Sequence, residues 1–332
     1  MASPFTVTFY GRDSAAMDGS RTRAGVGRAA AGIGQTFRER DSLQAALAAE
    51  AVFRLADSLN NLLSDYIDSS EINRLSGASG QGRWVRVSPP LFGILQKAMV
   101  AALASEGNYD VTIGPVVRLW RTARRTHVFP DADSVKSALS RTGYRYMHLD
   151  TVRRAVWLEH PGMQLDIGGL GKGFVAQAAL DLLREKGFAS AMVNAGGKIV
   201  TGLAPPGKEG WLIGINAPGE KNEILPKLLV LKEMSVATSG DIYQYVEFDG
   251  RRYSHIVDPR TGIGITRRRN VTAIAPDGTD ADWLATACSI LSFRASLRLI
   301  RRYPGAALFI TERRKNKLVE KSSRSFRNYL RK

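Results

Sequence analysis

Cysteine is almost missing from this chain: Cys288 is the only one. A single thiol excludes an internal disulfide and any zinc site built from several cysteines. Cys288 lies in the apolar run WLATACSILSF, the setting of a buried structural cysteine. Histidine is scarce too, with His127, His148, His160 and His255 only, so the chain offers no histidine-rich metal centre. Any metal it holds is then a hard cation bound by oxygen. No stretch reaches the roughly 20 unbroken apolar residues of a bilayer span, so the chain reads as not membrane-spanning. The opening residues MASPFTVTFYGRDS lack the basic head and apolar run of a signal peptide. As written, the chain carries no export signal and reads as cytoplasmic.

Acidic residues are also in deficit. There are 47 Lys and Arg against 31 Asp and Glu, a net charge of +16, and such a balance invites a nucleic-acid reading. The position of the charge argues against that reading. Residues Arg313–Lys332 hold nine Lys/Arg and one Glu, half of the excess, with Phe326, Tyr329 and Leu330 as anchors near the end. This segment reads as a solvated basic C-terminal tail with no catalytic role, and nucleic acid is not expected as a primary partner. Further charge clusters at Arg118, Arg121, Arg124 and Arg125, and at Arg267–Arg269.

What is present is ordinary globular composition, 44% hydrophobic and 23% charged. Phe5–Tyr10 alternates like a strand, whereas residues 19–41 are rich in Gly, Ala, Arg and Ser and read as an insertion or loop. Helical spacing covers Leu43–Leu63, Pro89–Ser105 and Lys172–Lys186, the last stopped by Gly187. Short β-rich runs follow at Ala191–Val193, Trp211–Asn216, Lys227–Lys232 and Ile242–Phe248. Asp249-Gly250 signals a hairpin into Arg251–Val257, and Asn270–Ala275 is a further strand. A helix over Asp280–Leu291, a helix over Arg294–Tyr303 and a strand over Ala306–Thr311 complete the pattern. Helices and strands mix without regular βαβ alternation, which predicts an α+β fold.

Three segments carry candidate chemistry. Leu165-Asp166-Ile167-Gly168-Gly169-Leu170-Gly171-Lys172-Gly173 precedes a helix. It is a phosphate-binding loop with Lys172 as its cation, or else a tight turn; Gly173 after Lys172 excludes a Walker loop. The second runs Thr238-Ser239-Gly240-Asp241, then Ser254-His255-Ile256-Val257-Asp258-Pro259-Arg260-Thr261-Gly262. His255 is a candidate general base beside Asp258, or a structural strand histidine. In the third, Asp282 and Thr286 stand four apart on a helix. They form a half-shell for Mg²⁺ or Ca²⁺, unless Asp280 is the N-cap and Asp282 only complements the helix dipole.

Taken together and in order, these segments resemble the ApbE family of FAD:protein FMN transferases. The shared features are GG-x-x-KG before a helix, Asn194-Ala195-Gly196-Gly197, TSGD, SHIVDPRTG and ADxLAT. Leu63-Ser64-Asp65-Tyr66 with Ser70-Glu71-Ile72 resembles the family's LSxY…SEI. Gly107-Asn108-Tyr109-Asp110-Val111-Thr112-Ile113-Gly114-Pro115, closing on Leu119-Trp120, resembles its G-x-FD-x-T-x-GP…LW. The likeness spans residues 1 to about 312 as one catalytic domain.

The resemblance implies a T-fold-like α+β architecture, with antiparallel sheets, helices packed on them, and a ligand site between the two halves. FAD is implied as substrate, with Mg²⁺ or another divalent cation such as Ca²⁺. The implied FAD-binding residues are Met1, Tyr66, Asn108, Tyr109, Asp110, Asp166, Lys172, His255 and Ile256. Gly169, Asp282 and Thr286 would hold the metal, and His255, Asp258 and Asp166 would serve catalysis. The implied partner is an acceptor flavoprotein whose Ser or Thr receives FMN as AMP leaves. The alternatives are an FAD pyrophosphatase and a flavin-binding relative without catalysis. Three departures stand out. Lys198 takes the place of Asp in the family's AGGD, and Gly171 replaces a usual Ala. The third is Met1-Ala2-Ser3-Pro4, which resembles a family segment that normally follows a signal or lipoprotein peptide; relatives are commonly periplasmic or lipid-anchored.

Overall fold

The computed structural model describes residues 4–11, 21–23, 39–216, 224–240, 244–314 and 317–331. Its centre is an eight-stranded sheet with the order Lys317–Ser322, Ala307–Arg314, Arg269–Ala275, Ser235–Gly240, Lys198–Thr201, Ala191–Ala195, Phe5–Phe9, Arg21–Arg23. Neighbouring strands run antiparallel throughout. The first strand sits next to Ala191–Ala195, with Phe5 opposite Ala195, so residues far apart in sequence share one sheet.

Arg269–Ala275 is buried at every position, which requires cover on both faces. Val271, Ala273 and Ala275 pack with Trp283 and Leu284 of the Gly278–Ile290 helix. Ile274 packs the other way, with Ile213, Leu229 and Phe309. The two-residue alternation of a strand thus sorts one run of sequence into two cores. A smaller sheet of Val85–Arg86, Ala155–Leu158 and Met147–Asp150 contributes Val156, Leu158 and Met147 to the first core, beside the Pro89–Ala104 helix. The fold is α+β with antiparallel sheets, as expected. None of the described helices is long and apolar enough to cross a membrane.

The Gly278–Ile290 helix is buried on nearly all sides, as an all-round apolar helix must be. Its N-cap is Asp277, whose carboxylate accepts from the Thr279 and Asp280 N–H groups. Asp280, weighed as that cap, instead accepts from Trp283 Nε1 at 3.0 Å. The Gly171–Glu185 helix approaches so closely that a Cβ on Gly173 would run into the Gly278 carbonyl oxygen. The same approach lets the Gly173 N–H donate to Asp282 Oδ2 at 3.0 Å. Gly173→Ala is therefore expected to force the helices apart and cost about 1–3 kcal/mol, read by denaturant unfolding. A variant as stable as the parent would show that the crossing relaxes freely.

Two expectations change. The basic C-terminal segment is not a solvated arm: Lys317–Ser322 pairs with Ala307–Arg314 as an edge strand. Phe326 behind it is 1% exposed and stacks on Phe309 at 4.9 Å. Lysines along an exposed edge strand discourage pairing with other chains, which gives part of this charge a structural use. Within 19–41, Arg21–Arg23 is a strand and a helix begins at Glu39, while residues 19–20 and 24–38 lie outside the described residues.

Candidate active site

Asp166 shapes the entrance to the glycine-rich loop. Its N–H donates to the Val111 carbonyl at 2.7 Å, joining the loop to the Asn108–Thr112 segment. Its Oδ1 accepts the Gly168 N–H at 2.7 Å, and its Oδ2 accepts from Arg121 at 2.8 Å. Arg121 also reaches Asp65 Oδ2 at 2.5 Å and lies 4.1 Å from the Tyr66 ring centroid. Burial, then the Asp65 charge, pushes the Asp166 carboxyl up to about 6 against the pull of Arg121. One guanidinium thus ties three sequence segments together and steadies Tyr66, which is 69% exposed and offers its ring to a ligand. The sequence places Arg121 only in a charge cluster, because nothing local marks its partners. Arg121→Ala is expected to weaken FAD binding by about tenfold or more through loss of the stacked cation and repulsion of the two carboxylates. Flavin fluorescence titration measures this, and an unchanged Kd would remove Tyr66 and Arg121 from the flavin site.

The neighbouring motif divides its labour. Asp110 is fully engaged, accepting from the Thr112 N–H and hydroxyl and from the Tyr144 N–H. Asn108 anchors through Nδ2 to the Ser105 carbonyl at 2.7 Å, but its Oδ1 is buried without a hydrogen-bond partner. The Tyr109 hydroxyl is likewise buried and unpartnered, its pKa raised by burial and then by Asp166, Asp282 and Asp110. A buried unpaired polar atom costs about 1–3 kcal/mol, so such atoms mark a place for ligand hydrogen bonds.

The proposed metal residues do come together. A Cβ on Gly169 would meet Thr286 and Tyr109 side-chain atoms at 2.9 Å. Thr286 Oγ1 lies 3.2 Å from the Gly169 carbonyl, 3.1 Å from the Asp282 carbonyl and 3.3 Å from Ser239 Oγ. The Asp282 carboxylate is already engaged, however. Oδ2 takes the Gly173 N–H, and Oδ1 faces Lys198 Nζ at 3.1 Å, as an ion pair rather than an aligned hydrogen bond. Lys198 Nζ donates to the Thr238 carbonyl at 2.6 Å and approaches Ser239 Oγ at 3.4 Å. Among the described residues, no three His, Cys, Asp or Glu side chains gather for a metal. The donor set therefore does not fit a divalent cation as the side chains stand.

Lys172, in the first turn of its helix, is pushed down by burial and by Lys198, with Asp282 opposing. His255 is half-buried, and its Nδ1 lies 3.0 Å from the Gln244 carbonyl. A carbonyl only accepts, so Nδ1 carries the proton and Nε2 keeps its lone pair. Burial, reinforced by Arg124, Lys172 and Lys198, pushes the imidazole down to about 4. It is neutral at pH 7, as a base must be. Asp258 does not hydrogen-bond His255; it forms a two-point pair with Arg260 at 3.0 and 2.9 Å and lies below the usual carboxylate range. Ile256 is a buried apolar residue whose carbonyl accepts from the Ile265 N–H. Met1 and Asp241 lie outside the described residues.

A model of the ApbE family matches residues 11–310. The chain belongs to the ApbE family. Among ApbE relatives, an FAD:protein FMN transferase of Treponema pallidum is 34% identical over 291 residues, covering 83% of this chain and 80% of that protein. One from Klebsiella pneumoniae is 32% identical over 268 residues, covering 80% and 83%. In structure, the ApbE flavin transferase of Vibrio cholerae has a TM-score of 0.78 at 22% identity, covering 98% of this chain and 100% of that one, which speaks for the fold. The Thermotoga maritima ApbE protein reaches 0.77 at 27% identity, covering 90% and 94%.

Proposed function

We propose that this chain is an FAD:protein FMN transferase that places FMN on a Ser or Thr hydroxyl of an acceptor flavoprotein. The observation that carries the reading is a neutral His255 that feels the charges of Lys172, at the glycine-rich start of one helix, and of Lys198. At that helix start the Gly171 N–H donates to the Ile167 carbonyl, the Gly173 N–H to Asp282 and the Phe174 N–H to the Leu170 carbonyl, which leaves the Lys172 N–H for a phosphate. Lys172 supplies charge to the same pyrophosphate.

The step follows from these groups. His255 Nε2 takes the proton of the acceptor hydroxyl, and the hydroxyl oxygen attacks the FMN-side phosphorus. The new O–P bond forms as the P–O bond to the bridging oxygen breaks, and AMP leaves with that oxygen. Lys172, through its ammonium and its backbone N–H, neutralises charge on the phosphates throughout. Tyr66 and the free polar atoms of Asn108 and Tyr109 would hold the rest of FAD. Asp166 and Asp110 act by shaping the loops, and Asp258 by closing its own turn with Arg260. A divalent cation in this family would add Lewis-acid charge at the pyrophosphate.

The test mixes the protein, FAD and a Thr-bearing flavoprotein acceptor, then reads acceptor mass and AMP. An FMN-sized gain with matching AMP supports the transferase. AMP without labelled acceptor would favour a pyrophosphatase, in which water replaces the hydroxyl. Bound FAD without AMP would leave a flavin-binding protein.

A further inference from the structure

A buried lysine is the least expected side chain in this site. The Lys198 side chain is 8% exposed and its partner Asp282 1%. It lies on a central strand of the main sheet, between Ser235–Gly240 and Ala191–Ala195, so it is held by strand pairing on both sides. Its ammonium meets the Thr238 carbonyl, Ser239 Oγ and Asp282 Oδ1 at 2.6, 3.4 and 3.1 Å. Ser239 Oγ leads on at 3.3 Å to Thr286 Oγ1, and that to the Gly169 carbonyl at 3.2 Å. These oxygens are the kind a hard cation takes, and the carboxylate among them already faces a positive charge.

We propose that the Lys198 ammonium is the resident cation of this site and that it excludes a divalent metal from Asp282, Ser239 and Thr286. The inference rests on the transferase reading for its consequence, which is that FMN transfer runs without added divalent metal. Its electrostatic logic is direct. One carboxylate, Asp282, faces Lys198 and also acts on Lys172. A divalent ion would add two more positive charges beside Lys198 and Lys172, and each cation would weaken the others. An ammonium with three donors satisfies the Thr238 carbonyl and neutralises Asp282 without the six to eight oxygens that Ca²⁺ requires. At this position the chain carries Lys where the family resemblance leads one to expect Asp, so a negative charge is replaced by a positive one.

The experiment titrates Mn²⁺ into the FAD-free protein and follows the EPR signal of free Mn²⁺. Wild type is compared with Lys198→Asp and Lys198→Met, and circular dichroism checks the folding of each. Wild type is expected to show no stoichiometric site. At least one folded variant is expected to bind one Mn²⁺ per chain at least about tenfold more tightly, the size of effect a neighbour of a metal ligand exerts. In parallel, AMP release by wild type is expected to survive EDTA. One Mn²⁺ bound per wild-type chain would overturn the proposal, because Lys198 would then have yielded its place. Equal absence of binding in wild type and the folded variants would overturn it too, since something other than Lys198 would be excluding the metal. Loss of wild-type AMP release on adding EDTA would also count against it. If wild type releases no AMP under any condition, the transferase reading fails while the Mn²⁺ titration still decides the cation's identity.

Discussion

Asp282→Ala is expected to be the most damaging single change in the site. The carboxylate holds the Gly173 N–H through one oxygen and the Lys198 ammonium beside the other. Truncation leaves an ammonium and an amide N–H inside the protein without their acceptor. Breaking a buried ion pair from one side costs about 3–5 kcal/mol, which for a chain of this size corresponds to a fall in Tm of about 4–7 °C. Calorimetry with turnover separates the parts. Asp282→Asn keeps an acceptor for Gly173 and should recover some stability, while turnover stays low because the charge facing Lys198 is gone. An alanine variant that melts like the parent would mean that Lys198 finds water once its partner is removed, and that the pair is not sealed.

His255→Ala is expected to lower the rate of transfer about a hundred- to ten-thousandfold, the usual worth of a positioned base, with FAD affinity little changed. The pH profile gives the sharper test. His255 is held down to about 4 by burial and then by Arg124, Lys172 and Lys198. Because its folded value lies below the usual 6.5, the base remains deprotonated as pH falls through 6.5 and is lost only towards pH 4. kcat/KM, which reports the free enzyme, should therefore stay level from about pH 7 to pH 5. The pyrophosphate of bound FAD offsets those three cations, so the acidic limb of kcat should lie above that of kcat/KM. A break in kcat/KM near 6.5 that vanishes in the alanine variant would show a solvent-exposed imidazole instead.

Local physics explains which features can be read from residues alone. The Asp249-Gly250 turn is legible because both residues need positive φ, and both have it, at 47° and 70°. Helix Gly171–Glu185 ends ahead of Gly187 because glycine accepts the left-handed conformation, here at φ 89°. The C-terminal segment misleads for the opposite reason. Its charge is visible along the sequence, whereas the ring of Phe309 becomes the neighbour of Phe326 only through sheet pairing. Arg121 shows the same limit, since its partners Asp65 and Asp166 stand on segments far from it in sequence.

By itself, the sequence determined the α+β class, the family, and the residues from which the site is drawn. Those follow from local periodicity, turn chemistry and ordered motifs, each contained within a few neighbouring residues. Only the tertiary structure decided which of those residues are committed to one another. It gave Asp166 to Arg121, Asp110 to the Tyr144 amide, and Asp282 to Lys198. The reason is that charge pairing acts through space over a few ångströms, and in a folded chain those ångströms are set by strand register and helix crossing rather than by distance along the sequence.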